Sequence, residues 1–261
     1  MEKRQNLNQP KFYPRRKPDA EMIFGRQTTL EAFKAGKTLE KLFLQKGARG
    51  DIMDELITSA RLAGTPVSLV PIEKLKRLCR QNHQGVVGLL SLIEYSSLHH
   101  IIAACFDQGR DPFVIVLDHL TDIRNLGSIA RSSECAGIDA LILPAKGSAQ
   151  INSDAMKASA GALNHLAICK ENNLFETCKY LRDSGVQLIA CTEKSETIYH
   201  QSDLTGPVAL IVGSEEDGIS NELLKLADQR VKIPMKGKIG SLNVSNASSI
   251  LLFEILRQRT I

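Results

Sequence analysis

A chain of 261 residues that is 43% hydrophobic and 24% charged has the composition of an ordinary globular protein and enough apolar material for one large or two small domains. Its longest uncharged apolar runs, such as Phe113 to Leu117 and Val208 to Val212, are strand-length, far short of the roughly 20 residues that a membrane helix needs. The net charge of +4 falls entirely in residues 1–19, where Lys3, Arg4, Lys11, Arg15, Arg16 and Lys17 outnumber Glu2 and Asp19. Such a Pro-containing segment reads equally as a flexible arm drawn to phosphate backbones or as a solubilising tail. It lacks the apolar stretch of a secretory signal, so a cytoplasmic location is expected.

From residue 20 to 92, helical and strand periodicities alternate: a helix near Gln27–Phe33, a strand Lys41–Gln45, a helix Asp51–Ala63, a strand Val67–Val70, a helix Ile72–Arg80 and a strand Val86–Leu92. This predicts a small α/β domain. Residues 93–112 read as a connecting helix closed by Gly109, Asp111 and Pro112. A second series follows in 113–261, with strands Phe113–Asp118, Ala140–Leu143, Leu166–Ile168, Gln187–Cys191, Val208–Val212 and Arg230–Ile233 separated by helical stretches. The expectation is a largely parallel sheet covered on both faces, with ligands bound in loops beyond the carboxyl ends of its strands.

The uncommon residue clusters fall in those loops. In LDHLTDIRNLGSIARSSECAG (117–137) the residues Leu126, Ile129, Ala130, Ser133 and Ala136 form a buried helical stripe. Arg131 lies nearly opposite that stripe and faces solvent, a ligand or a partner chain. GSEEDG (213–218) is either a Gly-bounded turn that lets backbone approach a ligand or a helix start with acidic residues favoured by the dipole. Before the apolar C-terminal helix, Ser241, Asn243, Ser245 and Asn246 exceed what one N-cap requires. Either some of them have another task or they satisfy their own loop. Neither the six cysteines nor the six histidines have metal-ligand spacing, and no metal is expected. Tryptophan is absent and aromatics are 5%, leaving little for a base-stacking platform. There is no GxGxxG and no Walker loop.

In this order, the three segments resemble the three motifs of the SpoU/TrmH branch of the SPOUT methyltransferases. Asp122, Asn125, Gly127 and Arg131 match the first, Gly213, Glu215 and Gly218 the second, and Ile233, Pro234, Met235 and Ser241 to Ser245 the third. Further similarity at Lys157, Ser159 to Ala162 and His165 extends the resemblance over residues 113–261. IFGRQTTLEAF (23–33) and HQGVVG (83–88) resemble the small RNA-binding domain of ribosomal-protein type that precedes the catalytic domain in many of these enzymes. The arrangement is most similar to the large-subunit rRNA guanosine 2′-O-methyltransferases. Ile123 stands where the family usually has Pro, and Asn246 where it usually has an apolar residue.

The resemblance implies a basic tail (1–19), an RNA substrate-binding domain (20–92), a linker helix (93–112) and a methyltransferase domain (113–261) whose C-terminal segment is threaded into a trefoil knot. It also implies S-adenosylmethionine as methyl donor, RNA as substrate and a homodimer with its active site near the subunit interface. Thr192, Gly213, Ile233 and Leu242 are the implied cofactor residues. Asn125, Arg131, Glu215, Ser241 and Asn243 are the implied catalytic group, with Arg131 as a clamp on alkoxide and phosphate. A tRNA ribose 2′-O-methyltransferase shares the three motifs, but the separate N-terminal α/β domain argues against it. A non-catalytic RNA-binding or ribosome-assembly factor that kept the fold and lost the chemistry is disfavoured by intact Asn125, Arg131, Ser241 and Asn243, and a dinucleotide-dependent enzyme by the missing glycine fingerprint.

Overall fold

The computed structural model describes residues 22–260; the basic tail lies outside them. The first sheet is built from β1 (Met22–Phe24), β2 (Leu39–Gln45), β3 (Val67–Val70) and β4 (Val86–Leu90), in the order β1-β4-β2-β3. β4 runs antiparallel to both β1 and β2, and β2 is parallel to β3. β2 reads LEKLFLQ and is buried on both sides. Its Leu39, Leu42 and Leu44 pack with Leu30 of α1 (Arg26–Lys34) and with Met53 and Leu56 of α2 (Asp51–Leu62). Phe43 points to the other face, against Val70, Val87 and Leu75 of α3 (Ile72–Leu78). β1 has no counterpart in the sequence reading, because three residues are too few to display a period; its pairing with β4 defines it.

The chain then passes through Tyr95, which makes a parallel bridge to Ile168, into α4 (Leu98–Asp107). This helix buries Leu98 and Ile102 in the cluster that also holds Val114 and Val116, so it covers the second sheet as well as leading to it.

The second sheet contains β5 (Phe113–Leu117), β6 (Ala140–Pro144), β7 (Ile168–Glu171), β8 (Gln187–Cys191), β9 (Val208–Val212) and β10 (Gln229–Val231). All its pairings are parallel, in the order β10-β8-β9-β5-β6-β7. The central strands FVIVL and VALIV are buried at every position, as continuous apolar runs must be when both faces are covered. On one face lie α5 (Ile123–Cys135), α6 (Ser153–Ala158) and α9 (Val244–Arg259); on the other lie α4, α7 (Leu174–Asp183) and α8 (Asn221–Leu226). The strand expected at Leu166–Ile168 starts at Ile168 and runs through Lys170 and Glu171. Those two charges hide it from a hydrophobic pattern, and pairing with β6 extends it.

α9 follows the irregular segment 232–243 and packs on α5, where the Ser132 and Ser249 hydroxyls meet at 2.7 Å. At its far end Arg259 lies over the Phe113 ring and donates to the carbonyls of Asp111, Pro112 and Gly206 at 2.9 to 3.1 Å, fastening the helix below the first strand. Among the described residues, no helix is long and apolar enough to cross a membrane.

Gly127 of the first motif sits where α5 meets α6. A Cβ there would lie 2.4 Å from Ala158 Cβ and 3.0 Å from the Ala155 carbonyl oxygen. Gly127→Ala should therefore lower stability by about 1–3 kcal/mol through overpacking, although Ala is the better helix former by about 1 kcal/mol. Urea unfolding measures the difference, and a stabilised variant would contradict this packing.

Candidate active site

Three loops converge at the carboxyl ends of β5, β9 and β10. The first begins with Asp122, whose Oδ1 accepts from the backbone N–H groups of Arg124 and Asn125 at 2.7 and 2.9 Å and caps α5. The cap sets Asn125 in the first turn. The second loop turns back on itself, with Ser214 and Gly218 exchanging backbone hydrogen bonds of 3.2 and 3.1 Å. At Gly213 the fold leaves no room for a side chain: a Cβ would fall 2.0 Å from the Gly218 carbonyl carbon and 2.3 Å from Ile219 N. The third loop ends in Asn243, the N-cap of α9.

Asn243 joins the three. Its Oδ1 accepts from Ser245 N at 2.9 Å and from Ser245 Oγ at 2.5 Å. Using the amide oxygen as the cap turns the amide nitrogen toward the other loops. There Nδ2 donates to Asn125 Oδ1 at 3.0 Å and to Glu215 Oε1. Asn125 Nδ2 donates to the same Glu215 oxygen at 3.1 Å. One carboxylate thus gathers two amide groups from residues 90 and 28 positions away in the chain.

Beside this cluster opens a cleft of about 760 Å³. Thr192, Gly213, Ile233 and Leu242 all line it, as do Glu215, Ser241 and Asn243. Its volume falls within the roughly 300–1,000 Å³ of small-molecule and cofactor sites. Apolar Ile233 and Leu242 and the side-chain-free backbone at Gly213 suit a flat heteroaromatic group with a polar tail, so the residues present fit S-adenosylmethionine. Cys191 also lines the cleft, but burial and the neighbouring Glu193 push its thiol up to about 12, which keeps it protonated and unreactive at neutral pH. Among the described residues, no group of three or more His, Cys, Asp or Glu could hold a metal ion.

Arg131 stands apart. It is exposed on α5, does not line the cleft, and has no hydrogen bond or ion pair among the described residues. Ser241 reaches the cleft rim without a hydrogen-bond partner there. Sequence reasoning passed over Asp118, which is 2% exposed at the end of β5 and accepts from Ser220 N at 2.7 Å, tying the second loop to the first. Its position at a carboxyl strand end was the available signal. Met235 and Val244 of the cleft wall were matched as part of the third motif without a role, and Gly240 and Ala247 carried no signal of their own.

Asn243→Ala should cost about 0.5–2 kcal/mol from the lost cap and also leave Glu215 with a single amide donor. Asn243→Ser keeps an uncharged oxygen cap while removing the amide donor, so it should be less destabilised than Asn243→Ala. If chemical denaturation shows Ser as harmful as Ala, the cap assignment fails.

The sequence profile of the SpoU rRNA Methylase family matches residues 112–253, and that of the RNA 2′-O ribose methyltransferase substrate-binding domain matches residues 22–96. A Staphylococcus haemolyticus protein assigned to the TrmH family of tRNA/rRNA methyltransferases is 33% identical over 238 residues, covering 91% of this chain and 96% of its own. Among solved structures, an AdoMet-bound rRNA methyltransferase from Sinorhizobium meliloti is 25% identical with a TM-score of 0.56, over 90% of this chain and 86% of its own. The TrmH/SpoU tRNA-modifying enzyme of A. aeolicus is 31% identical with a TM-score of 0.52, over 57% of this chain and 76% of its own. The three converging loops carry the same motifs that the family profile spans, and the chain belongs to the SpoU/TrmH family of RNA 2′-O-ribose methyltransferases.

Proposed function

We propose that this enzyme methylates the ribose 2′-hydroxyl of a guanosine in large-subunit rRNA, acting as a cytoplasmic homodimer whose C-terminal segment forms the family's trefoil knot. The observation that carries the chemistry is the Asn125–Glu215–Asn243 cluster at the edge of the 760 Å³ cleft. The observation that favours rRNA is the span of the relatives: the rRNA methyltransferase aligns over 90% of this chain, whereas the tRNA-modifying enzyme aligns over 57%. The substrate-binding profile matches residues 22–96 of this chain, a stretch long enough to account for most of that difference.

Bound S-adenosylmethionine supplies a methyl group already activated by the sulfonium charge. Gly213, Ile233, Leu242 and Thr192 hold it. The chain's remaining task is to orient a ribose hydroxyl and to stabilise the charge that develops as its proton leaves. Asn125, Asn243 and Ser241 orient the ribose, with Glu215 fixing the two amides. Arg131 clamps the developing alkoxide and a phosphate. A guanidinium does not give up its proton inside a protein, so this side chain serves as a charge and a planar fork and not as a base. Its absence from its own chain's cleft accords with an active site near a subunit interface. The neighbouring α9 presents Ile250 and Phe253, 36% and 47% exposed, as an apolar strip for a second copy.

RNA affinity would come from a groove of about 960 Å³ in the first sheet's layer, where Arg26, Lys76 and Arg80 stand among Gln45, Gln81, Asn82 and Gln84. Arg26 Nε donates to the Gln84 carbonyl at 3.1 Å, and Gln84 holds a positive φ of 51°, so the loop is a defined shape. Each phosphate neutralised contributes a slope of roughly 0.7 to 0.9 in log affinity against log salt. Lys76→Ala with Arg80→Ala should therefore flatten the salt dependence of RNA binding without changing cofactor affinity. An unchanged slope would remove the groove from the interface.

Tritiated S-adenosylmethionine with separate rRNA and tRNA transcripts, followed by mapping of the labelled ribose, tests the reading. Label in rRNA guanosine is expected; label in tRNA alone would replace the substrate, and none in either would end the assignment. In the same assay Arg131→Lys should lose on the order of 10²-fold in single-turnover rate, because Lys keeps the charge but not the fork. Cofactor affinity should hardly move. A fully active Arg131→Lys enzyme would refute the clamp.

A further inference from the structure

Glu40, Tyr95 and Lys170 come from β2, the linker and β7, and they meet in a buried polar cluster between the two sheets. Lys170 Nζ donates to Glu40 Oε1 at 3.0 Å, and the Tyr95 hydroxyl donates to Glu40 Oε2. The ammonium also sits 4.7 Å from the Tyr95 ring centroid. Both charged side chains are nearly shut off from water, at 12% and 9% exposure. Burial and the adjacent Glu40 raise the Tyr95 hydroxyl far above its ordinary value, so it stays a donor at any physiological pH. Next to it, Ser96 N donates to the Ile168 carbonyl at 2.8 Å, drawing the linker alongside the edge strand β7.

The rest of the junction is thin. Each sheet has its own apolar clusters, and no strand or helix of the first sheet packs broadly on an element of the second among the described residues. A buried ion pair adds little net stability compared with apolar packing, but deleting one partner, or shifting the packed sheets so that one charge stays buried alone, leaves a desolvated charge without a counter-charge. Such a pair therefore selects one relative orientation and penalises others.

We infer that Glu40, Tyr95 and Lys170 are positioning residues for the RNA, locking the substrate-binding sheet against the edge of the catalytic sheet so that groove and cleft grip a folded RNA at fixed spacing. The inference rests on the RNA methyltransferase reading for its consequence and on the cluster's geometry for the lock itself. A substrate touching both sites then binds without ordering two mobile domains, a cost that otherwise subtracts from affinity. The lock acts on RNA capture and not on the chemical step.

The test uses the full chain with Lys170→Met, Glu40→Gln and the double variant. Calorimetry with S-adenosylmethionine should give affinities within about twofold of the parent, which reports that the catalytic sheet is folded. Lys170→Met orphans the Glu40 carboxylate, so KM for the rRNA transcript should rise about tenfold or more with kcat nearly unchanged. Small-angle scattering should show a larger maximum dimension. Glu40→Gln with Lys170→Met removes both charges and should be less impaired than Lys170→Met alone in KM and in scattering, the non-additivity expected of coupled residues. Unchanged KM and scattering in Lys170→Met would overturn the lock, as would a double variant no better than the single. Cofactor affinity and kcat falling together would reduce the cluster to fold support and overturn it equally. If the parent methylates no RNA, the functional reading fails, while the scattering of the three variants still decides whether the lock exists.

Discussion

The amide of Asn243 is the constraint on which the site depends. Its oxygen closes the first turn of the last helix, so its nitrogen must face the loops that follow β5 and β9. A helix cap ordinarily ends a local problem, the unpaired N–H groups of the first turn. Here it also sets the polarity of a three-loop junction. The position of α9 and the geometry of the Asn125–Glu215 pair are thus one arrangement.

The parallel sheet makes that junction possible. Because β5, β9 and β10 all point the same way, their following loops emerge at one edge, and ligands of open α/β sheets bind there. Two close approaches tighten the edge. Gly213 lets the second loop fold onto Gly218 with no side chain between them, and buried Asp118 holds Ser220, the residue that opens α8 beyond that loop. Backbone that is fixed before a ligand arrives presents its N–H and C=O groups at no further ordering cost. On the far side of the sheet, Arg259 fastens the end of α9 beneath β5, so this helix is held at both ends.

The second polar junction, between Glu40 and Lys170, follows different physics. The active-site cluster is built from amides and one carboxylate at a solvent-facing rim, where a ligand can enter. The interdomain cluster is a desolvated charge pair that admits nothing. Placing an open network at the cleft and a closed one at the domain boundary assigns adaptability to the chemistry and rigidity to substrate presentation.

By itself the sequence determined the alternation of strands and helices, the expectation of a largely parallel second sheet and the three motifs, because each rests on local patterns of apolar period, turn residues and spacing. That every pairing in that sheet is parallel was decided by the structure. Thr192, Gly213, Ile233 and Leu242 were implied by the resemblance to the SpoU/TrmH motifs and not by any local period; the structure places all four along one cleft. Only the tertiary structure decided what joins across the chain. Asn125 and Asn243 meet over 118 positions, Glu40 and Lys170 over 130, and Ser132 and Ser249 over 117. No periodicity encodes such pairs, since a hydrogen bond or ion pair depends on where two distant backbones are brought by packing. The strand β7 shows the converse. Lys170 and Glu171 break its apolar pattern, and the chain is extended there because β6 offers a ladder and the first domain offers a counter-charge, both supplied from outside the segment.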